Sequence, residues 1–384
     1  MKILIVSHKY PPSIGGMQRH CYELVTRLER EHDVIKCIYE GRGSIVVFLI
    51  LSTFRVRRLL RKNPDIDRVY INDGLMALFM TPLFFTHRKK LVVTLHGLDV
   101  VFPFFWYQTW IKSVLSKACS IITVSDGTHR ELLKRGVSGP SVHMIKNGFT
   151  GKQLKSTISK DLPKTMHGVG ARYIATMGRM VERKGFSWFI EDVLPKLPRD
   201  ISLVIIGPVF QNERLLKFVR FFLPRALGNL LIKLLGLPMD QLKVTRLAKE
   251  SENRNVVVLS GLSDQEVHTV LNQSAVFVMP NISVKGDFEG FGLVAVEAVG
   301  QGKLCIAADV DGIPSAIENN RTGILLPPGD DEKWSEKLNH YLSQPSLTEE
   351  LAEQYHENLS ASDMSWEKMV DSYVNVFETE YIGL

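Results

Sequence analysis

Val276-Phe277-Val278-Met279-Pro280 is followed by Glu289-Gly290-Phe291-Gly292-Leu293-Val294-Ala295-Val296-Glu297, and then by Leu304-Cys305-Ile306-Ala307. The two outer runs are short, apolar and rich in β-branched residues, as buried strands are. The stretch between them opens on glycines and continues as a helix. Strand, glycine loop, helix and strand together make a βαβ unit with parallel strands. Outward from this unit the same rhythm fills the chain. Tyr173–Thr176, Leu203–Ile206, Val256–Leu259 and Gly323–Leu326 read as further strands in the second half. Ile3–Val6, Val34–Tyr39, Arg68–Ile71, Leu91–Leu95, Ile121–Val124 and Val142–Ile145 form a matching set of six in the first half. Two sets of six predict two doubly wound α/β domains rather than one large sheet. Thr150–Lys164 carries Gly, Lys and Ser without an apolar period and reads as the linker. A length of 384 residues suits two domains, each with its own core. Ligands of such sheets bind beyond the carboxyl ends of the strands, so the active site is expected there, in a cleft between the domains.

The glycine loop is also the richest in chemistry. Gly290 and Gly292 let the backbone approach a ligand, and free N–H groups at the helix start suit an anion. Glu297, farther along the helix, accepts only when ionised and suits a vicinal diol such as a ribose. Glu289, in the loop, can meet sugar hydroxyls. The plainer reading is two surface glutamates flanking a tight turn. Gly178-Arg179-Met180-Val181-Glu182-Arg183-Lys184-Gly185 follows the first strand of the second half. Arg179 offers a planar fork for phosphate oxygens and Lys184 a compact charge, so together they can neutralise a diphosphate. Pro11-Pro12-Ser13-Ile14-Gly15-Gly16-Met17 follows the first strand of the chain and precedes a helix. It is not G-x-G-x-x-G, which weighs against a nicotinamide cofactor. His96, in Leu95-His96-Gly97-Leu98-Asp99, stands at a strand's carboxyl end and can reach into a cleft; a histidine satisfied by local hydrogen bonds is the alternative. Asp65-Ile66-Asp67 and Asp309-Val310-Asp311 could each hold a divalent cation through two carboxylates, but both read as structural, and no metal is expected.

Charge is divided unevenly. Met1–Lys164 holds 26 Lys and Arg against 12 Asp and Glu, net +14, while the remainder is net −8. The basic half suggests an anionic surface or a phosphorylated acceptor. Within it, Arg55-Val56-Arg57-Arg58-Leu59-Leu60-Arg61-Lys62 stands beside the apolar Ile45–Leu51, and Phe102-Pro103-Phe104-Phe105-Trp106-Tyr107 follows His96. Arg214–Leu237 reads as a basic amphipathic helix pair, either an interfacial element or an insertion packed on the second domain. Cys21, Cys37, Cys119 and Cys305 stand far apart, which argues against a disulfide framework or zinc and fits a reducing compartment. No apolar stretch reaches the ~20 residues of a membrane span, and the start of the chain does not read as a signal peptide. A cytoplasmic protein, at most peripheral on the inner face of the membrane, is expected. Nothing points to nucleic acid.

The order Gly15-Gly16, His96, Asn147-Gly148, Arg179 with Lys184, Gly207-Pro208, Gly261, Glu289 and Glu297 resembles glycosyltransferase family 4, over nearly the whole chain. Glu-Gly-Phe-Gly-Leu with a second Glu eight residues after the first is the most specific part. The resemblance implies a GT-B fold: two Rossmann-like domains facing a central cleft, with residues 1–164 on the acceptor side and 165–363 binding the donor. Residues 364–384 would form a terminal helix crossing back to the first domain. It implies a retaining, metal-independent hexosyltransferase. The enzyme would take a UDP- or GDP-linked sugar as co-substrate, need no cofactor, and act on a glycan or lipid-linked acceptor in cell-envelope or polysaccharide synthesis. By the same resemblance Arg179 and Lys184 bind the donor diphosphate, Glu289 the donor sugar and Glu297 the ribose. Backbone N–H groups from Phe291 to Leu293 assist, beside Gly290 and Gly292. Gly15 and Gly16 close over the phosphates, His96 sits by the sugar, and Gly261 and Leu262 lie by the base. The chain departs from the family pattern in three places: Asp311-Gly312-Ile313-Pro314-Ser315 lacks the usual Glu, Ile206-Gly207-Pro208 replaces Gly-x-Gly-Pro, and the Arg214–Leu237 insertion is extra. A non-catalytic nucleotide-sugar-binding subunit and a sugar-nucleotide epimerase of related fold stay open as other readings.

Overall fold

A computed structural model describes residues 1–139, 141–150, 166, 169–170, 172–211, 221–222, 238–250 and 256–382. The expected linker after Thr150 and all but Phe221 and Phe222 of the Arg214–Leu237 insertion lie outside these residues. The chain divides into two compact units. One comprises Met1–Phe149, Phe288–Leu293 and Asp363–Leu384; the other comprises Thr150–Asp287 and Val294–Ser362.

Each unit is built on one six-stranded parallel sheet. The first contains β1 (Lys2–Ser7), β2 (Asp33–Ile38), β3 (Arg68–Ile71), β4 (Leu91–Leu95), β5 (Ser120–Thr123) and β6 (Ser141–Met144), in the order β2-β1-β3-β4-β5-β6. The second contains β7 (Arg172–Met177), β8 (Ile201–Ile206), β9 (Val256–Leu259), β10 (Val276–Met279), β11 (Cys305–Ala308) and β12 (Ile324–Leu326), in the order β12-β11-β10-β7-β8-β9. All twelve strands fall within two residues of their expected positions. The continuous apolar runs are explained by burial on both faces: β3, β4, β8, β10 and β11 have no exposed residue.

In both sheets the strand order reverses beside the unit's first strand, between β1 and β3 and between β7 and β10. Ligands of doubly wound sheets gather at the carboxyl ends of the strands there. In the first sheet alternate residues face opposite layers. Leu4, Val6, Val69, Ile71, Val93 and Leu95 share one core with Phe48, Val56, Leu60, Met76, Phe84, Trp110 and Ile111 of the helices that follow β2, β3 and β4. Arg68, Tyr70 and Thr94 face the other way. Tyr70 and Thr94 are hydrogen-bonded to each other, and Thr94 to Tyr373 of the terminal helix Trp366–Ile382; the Arg68 Nε donates to the Phe377 carbonyl at 2.9 Å. That helix also meets the first helix of the chain, Gly16–Leu28, where Arg27 donates to Glu367. A backbone bridge between Phe149 and Ser365 brings the returning chain alongside the end of the first unit.

Candidate functional site

In the first unit, polar residues collect where β1, β3 and β4 end. His96 follows β4, and its main-chain N–H donates to both oxygens of Asp99, at 2.9 and 3.1 Å. Asp99 also accepts from the Gly74 N–H at 3.1 Å, so one carboxylate ties the end of β4 to the turn after β3. The His96 Nε2 lies 2.9 Å from the Asn72 carbonyl oxygen. A carbonyl only accepts, so the proton is on Nε2 and Nδ1 is left as an acceptor. Burial pushes the imidazole pKa down, against the pull of Asp99 and Asp73, and keeps the ring neutral. Burial also raises the Asp99 carboxyl, opposed by His96 and the two backbone donors. Beside them, burial works to raise the Asp73 carboxyl. The His8 imidazole 3.1 Å away and the Met76 N–H outweigh it, and Asp73 falls to about 2.

The Glu-Gly-Phe-Gly-Leu loop packs on this strand end. Gly97 has φ +100°, and a side chain there would bring its Cβ to 2.6 Å from the Phe288 ring and 2.8 Å from the Gly290 Cα. A Cβ on Gly290 would collide with the His96 carbonyl oxygen. Both positions therefore require glycine, for backbone conformation and for close approach. Gly16, at the start of the first helix, faces Leu293: a Cβ there would lie 3.4 Å from the Leu293 Cδ1. That helix is preceded by Gly15, has no side-chain cap and has no acid in its first turn, so its leading N–H groups suit an anion. Glu289 is half-buried, while Phe291 and Leu293 are buried.

Behind His96 lies a buried polar network. The His20 ring meets the His96 ring edge-on with centroids 5.0 Å apart. His20 Nδ1 donates to Asn147 Oδ1 at 2.7 Å, which leaves Nε2 to accept from the Tyr373 hydroxyl 3.3 Å away, while the Tyr70 hydroxyl, also 3.3 Å from Nε2, donates toward Asn72 Oδ1 and Thr94. Burial drives the His20 pKa down to about 3, with His96 adding to the shift, so this ring is neutral too.

In the second unit, the loop after β7 carries the expected basic pair. Lys184 is buried and lies over Gly178: a Cβ on Gly178 would come 3.1 Å from the Lys184 Cε. Arg179 is exposed. Gly207, after β8, closes so tightly on the Gly178 carbonyl that no side chain fits, which explains a glycine where the family pattern keeps one. Arg183 forms an ion pair with Asp287 at 3.1 Å, and its carbonyl accepts from the Ile282 N–H at 3.0 Å. These bonds pin the basic loop to the end of β10. Glu297 is half-buried on the helix Leu293–Gly300. Gly261 (φ +71°) and Leu262 follow β9 at the same edge of the sheet.

The expected site residues are thus brought together in two groups. Gly15, Gly16, His96, Glu289, Gly290, Phe291, Gly292 and Leu293 belong to the first unit; Arg179, Lys184, Gly261, Leu262 and Glu297 belong to the second. Sequence reasoning missed Asn72, Asp73, Asp99, His8 and His20. Asp99 carried a signal, three residues after His96 at the mouth of a helix, where such a side chain caps local N–H groups. The others carried none. In the first D-x-D stretch both carboxylates are hydrogen-bonded within the fold. Asp67 accepts from the Lys2 N–H at 2.8 Å and Asp65 from the Lys2 Nζ at 3.1 Å; Asp309 closes the edge of β12 through its own N–H. Among the described residues no group of three or more His, Cys, Asp or Glu could hold a metal ion, and the four cysteines are free thiols.

The family model for glycosyl transferases group 1 matches residues 158–359, more than half of the chain. The chain belongs to that family. A second model, for glycosyltransferase family 4, matches residues 14–150, in agreement with the resemblance read from the motifs. This group 1 glycosyltransferase is 21% identical to the alpha-maltose-1-phosphate synthase of Mycolicibacterium smegmatis, across 98% of this chain and 99% of that protein. It is 22% identical to a GDP-mannose-dependent monoacylated alpha-(1-6)-phosphatidylinositol monomannoside mannosyltransferase of Corynebacterium glutamicum, across 99% and 98%. Among solved structures, Anabaena HepE in complex with UDP superposes with a TM-score of 0.73 at 18% identity, covering 99% of this chain and 100% of that one. Sucrose-phosphate synthase from Thermosynechococcus elongatus gives 0.76 at 18% identity, covering 100% and 99%. The group 1 glycosyltransferase therefore has the GT-B fold expected from its motifs.

Proposed function

We propose that this glycosyltransferase takes a UDP- or GDP-linked sugar and transfers it, with retention and without a metal, to a glycan or lipid-linked acceptor. The observation that carries the reading is the basic loop after β7, where Lys184 is folded over Gly178 and Arg179 is exposed at a strand end that has no room for other side chains. A diphosphate is the ligand such a loop suits. The Anabaena relative that binds UDP and the corynebacterial relative that depends on GDP-mannose support a nucleotide-linked donor.

In this reading Arg179 and Lys184 hold the diphosphate, Glu297 the ribose and Glu289 the sugar. The N–H groups of Phe291–Leu293 and the Gly15-Gly16 turn assist, and Gly261 with Leu262 lies by the base. The anomeric carbon–oxygen bond to phosphate breaks as the acceptor oxygen bonds to the same face, and the acceptor's proton passes to the departing phosphate oxygen. Arg179 and Lys184 stabilise the charge that grows there. His96, neutral with Nδ1 free to accept, orients a sugar hydroxyl. The acceptor reading places the enzyme at the cytoplasmic face of a membrane when that acceptor is a lipid.

Donor turnover tests this directly. Arg179→Ala and Lys184→Ala are each expected to slow release of nucleoside diphosphate from a panel of UDP- and GDP-sugars by about a hundredfold or more, with melting temperature kept by Arg179→Ala. Near wild-type turnover in both variants would remove the diphosphate assignment. Excess chelator should leave transfer intact. Loss restored by magnesium or manganese would overturn the metal-independent step.

A further inference from the structure

The helix Ile45–Lys62 is apolar at one end and basic at the other, and both ends are exposed. At 100° per residue, Phe48, Ser52, Val56 and Leu60 share one arc and are buried against the first sheet. Val46, Val47, Ile50, Leu51 and Phe54 occupy the opposite arc and face solvent, Phe54 being 66% exposed. Continuing along that outer arc, Arg55, Arg58, Arg61 and Lys62 are also exposed. The helix has no acid. Of the acids nearest along the chain, Asp65 and Asp67 are engaged by Lys2, and Glu40 lies five residues before the helix.

Neighbouring elements extend the pattern. Segments 83–90 and 105–117 pack their inner residues, Phe84 and Trp110 among them, into the same core as Phe48. Their outer residues include Phe85, Phe105 and Trp106, all exposed, with the Lys117 ammonium over the Phe85 ring at 5.6 Å. Across 45–62, 83–90 and 105–117 there are ten Lys and Arg and no Asp or Glu. The His87 imidazole is pushed down by burial, then by the like charges of Lys90 and Arg57, which puts the 87–90 corner near the helix.

We propose that this helical layer docks on an anionic lipid bilayer. The apolar half of Ile45–Lys62 enters the boundary between headgroups and acyl chains, and its basic half rests on headgroup phosphates. The proposal deepens the lipid-linked-acceptor reading of the enzyme, on which it rests for its purpose. An interface with another protein centres its apolar residues within a polar rim. Here apolar and basic residues are segregated lengthwise, aromatic and aliphatic residues are exposed beside unopposed cations, and the complement is a surface both apolar and anionic. No described helix is long and apolar enough to cross a membrane, so the contact is interfacial.

Full-length protein is sedimented with phosphatidylcholine vesicles and with vesicles of equal parts phosphatidylcholine and phosphatidylglycerol, at low and high salt. Binding is expected to the anionic vesicles only and to weaken as salt screens the charges. Arg58→Gln with Arg61→Gln should weaken binding by about fivefold per charge removed. Ile50→Ser with Phe54→Ser should weaken it by an order of magnitude or more while leaving the salt dependence in place. Absence of binding by the unaltered protein at low salt overturns the proposal. So does equal binding to both vesicle types, equal binding by all variants, or a dimer in solution that Ile50→Ser with Phe54→Ser makes monomeric. Nucleoside diphosphate release without vesicles is measured on the same samples. Loss of that activity in the unaltered protein refutes the enzymatic reading and leaves the binding result standing.

Discussion

The two helical layers that cover the first sheet solve the same packing problem with opposite chemistry. On one side, Gly16–Leu28 and Trp366–Ile382 add polar groups to apolar contacts such as that of Phe377 with Tyr70: His20, Tyr70, Thr94 and Tyr373 are buried in one hydrogen-bonded network. Their outer surfaces mix signs, as in the Arg19–Glu23 and Arg27–Glu367 pairs. On the other side, the inner surface is mainly apolar, with Ser52 its buried polar exception in the helix Ile45–Lys62, and the outer surface is apolar and basic without a matching acid. Folding needs the inside of each layer. The unbalanced outside of the second layer is exposed rather than packed, and it is the face proposed above to meet a bilayer.

The largest effect is expected inside the apolar layer. Trp110 is nearly buried, stacks on Tyr107 and donates to the Thr81 hydroxyl at 2.8 Å. Trp110→Ala should cost about 3–5 kcal/mol in urea unfolding, through the cavity it leaves. A cost below about 1 kcal/mol would mean this core is not where the layer's stability resides.

Next comes the polar layer, where a fully buried histidine makes stability depend on pH. His20 is held neutral with its pKa near 3, whereas the unfolded chain protonates near 6.5. Below that unfolded value the unfolded state binds the extra proton, so stability falls as pH falls and recovers as pH rises. From pH 7 to pH 5 this one residue should remove about 2 kcal/mol. His20→Gln should flatten that part of the profile, and the His20 ring should resist protonation in NMR titration down to about pH 4. Identical profiles with and without His20, or a ring that titrates near 6.5, would show that the network does not exclude the proton.

How far this contrast could be read from sequence differs between the layers. All twelve strands were legible: the inner ones because strands buried on both faces stay apolar throughout, the partly exposed edge strands β2 and β6 from interrupted apolar runs. The glycines of Glu-Gly-Phe-Gly-Leu were legible as a loop for close approach. That Phe288–Leu293 clusters with the first unit, and that Gly290 abuts the His96 carbonyl, depended on contacts nearly 200 residues apart in the chain. The polar network was illegible for the same reason: His20 sits in a helix of mixed charge and reads as a surface residue until Asn147, Tyr70 and Tyr373 close around it. Ile45–Leu51 was legible as apolar but not as exposed, since seven apolar residues in a row give no period to say which face turns inward. The aromatic stretch 102–107 divided in a way no period announced, with Tyr107 buried and Phe105 and Trp106 exposed.

A smaller effect belongs to the link between the polar layer and the terminal helix. The Tyr373 hydroxyl lies 3.0 Å from Thr94 and 3.3 Å from His20, while its ring packs against Tyr70 and Phe377. Tyr373→Phe keeps the ring and removes the hydroxyl. It should cost about 1 kcal/mol, since Thr94 keeps Tyr70 and His20 keeps Asn147 as partners. A cost as large as that of Trp110→Ala would mean the network, and not apolar contact, holds the terminal helix to the sheet.

The smallest stability effect should come from the outer surface of the apolar layer, and its smallness is the point. Ile50 and Phe54 are more than half exposed, so replacing them with serine opens no cavity and strands no polar group. Exposed helix positions of this kind change stability by no more than about 0.5 kcal/mol per residue, and the lower helix propensity of serine falls within that range. If both side chains are kept for packing, Ile50→Ser with Phe54→Ser should instead lower the unfolding midpoint as a core substitution does. If they are kept for a surface outside the protein, the midpoint in solution holds while vesicle binding falls. The two measurements on one variant separate the alternatives, because a core residue cannot lose its partner without cost to the fold, and a docking residue has no partner to lose until the bilayer is present.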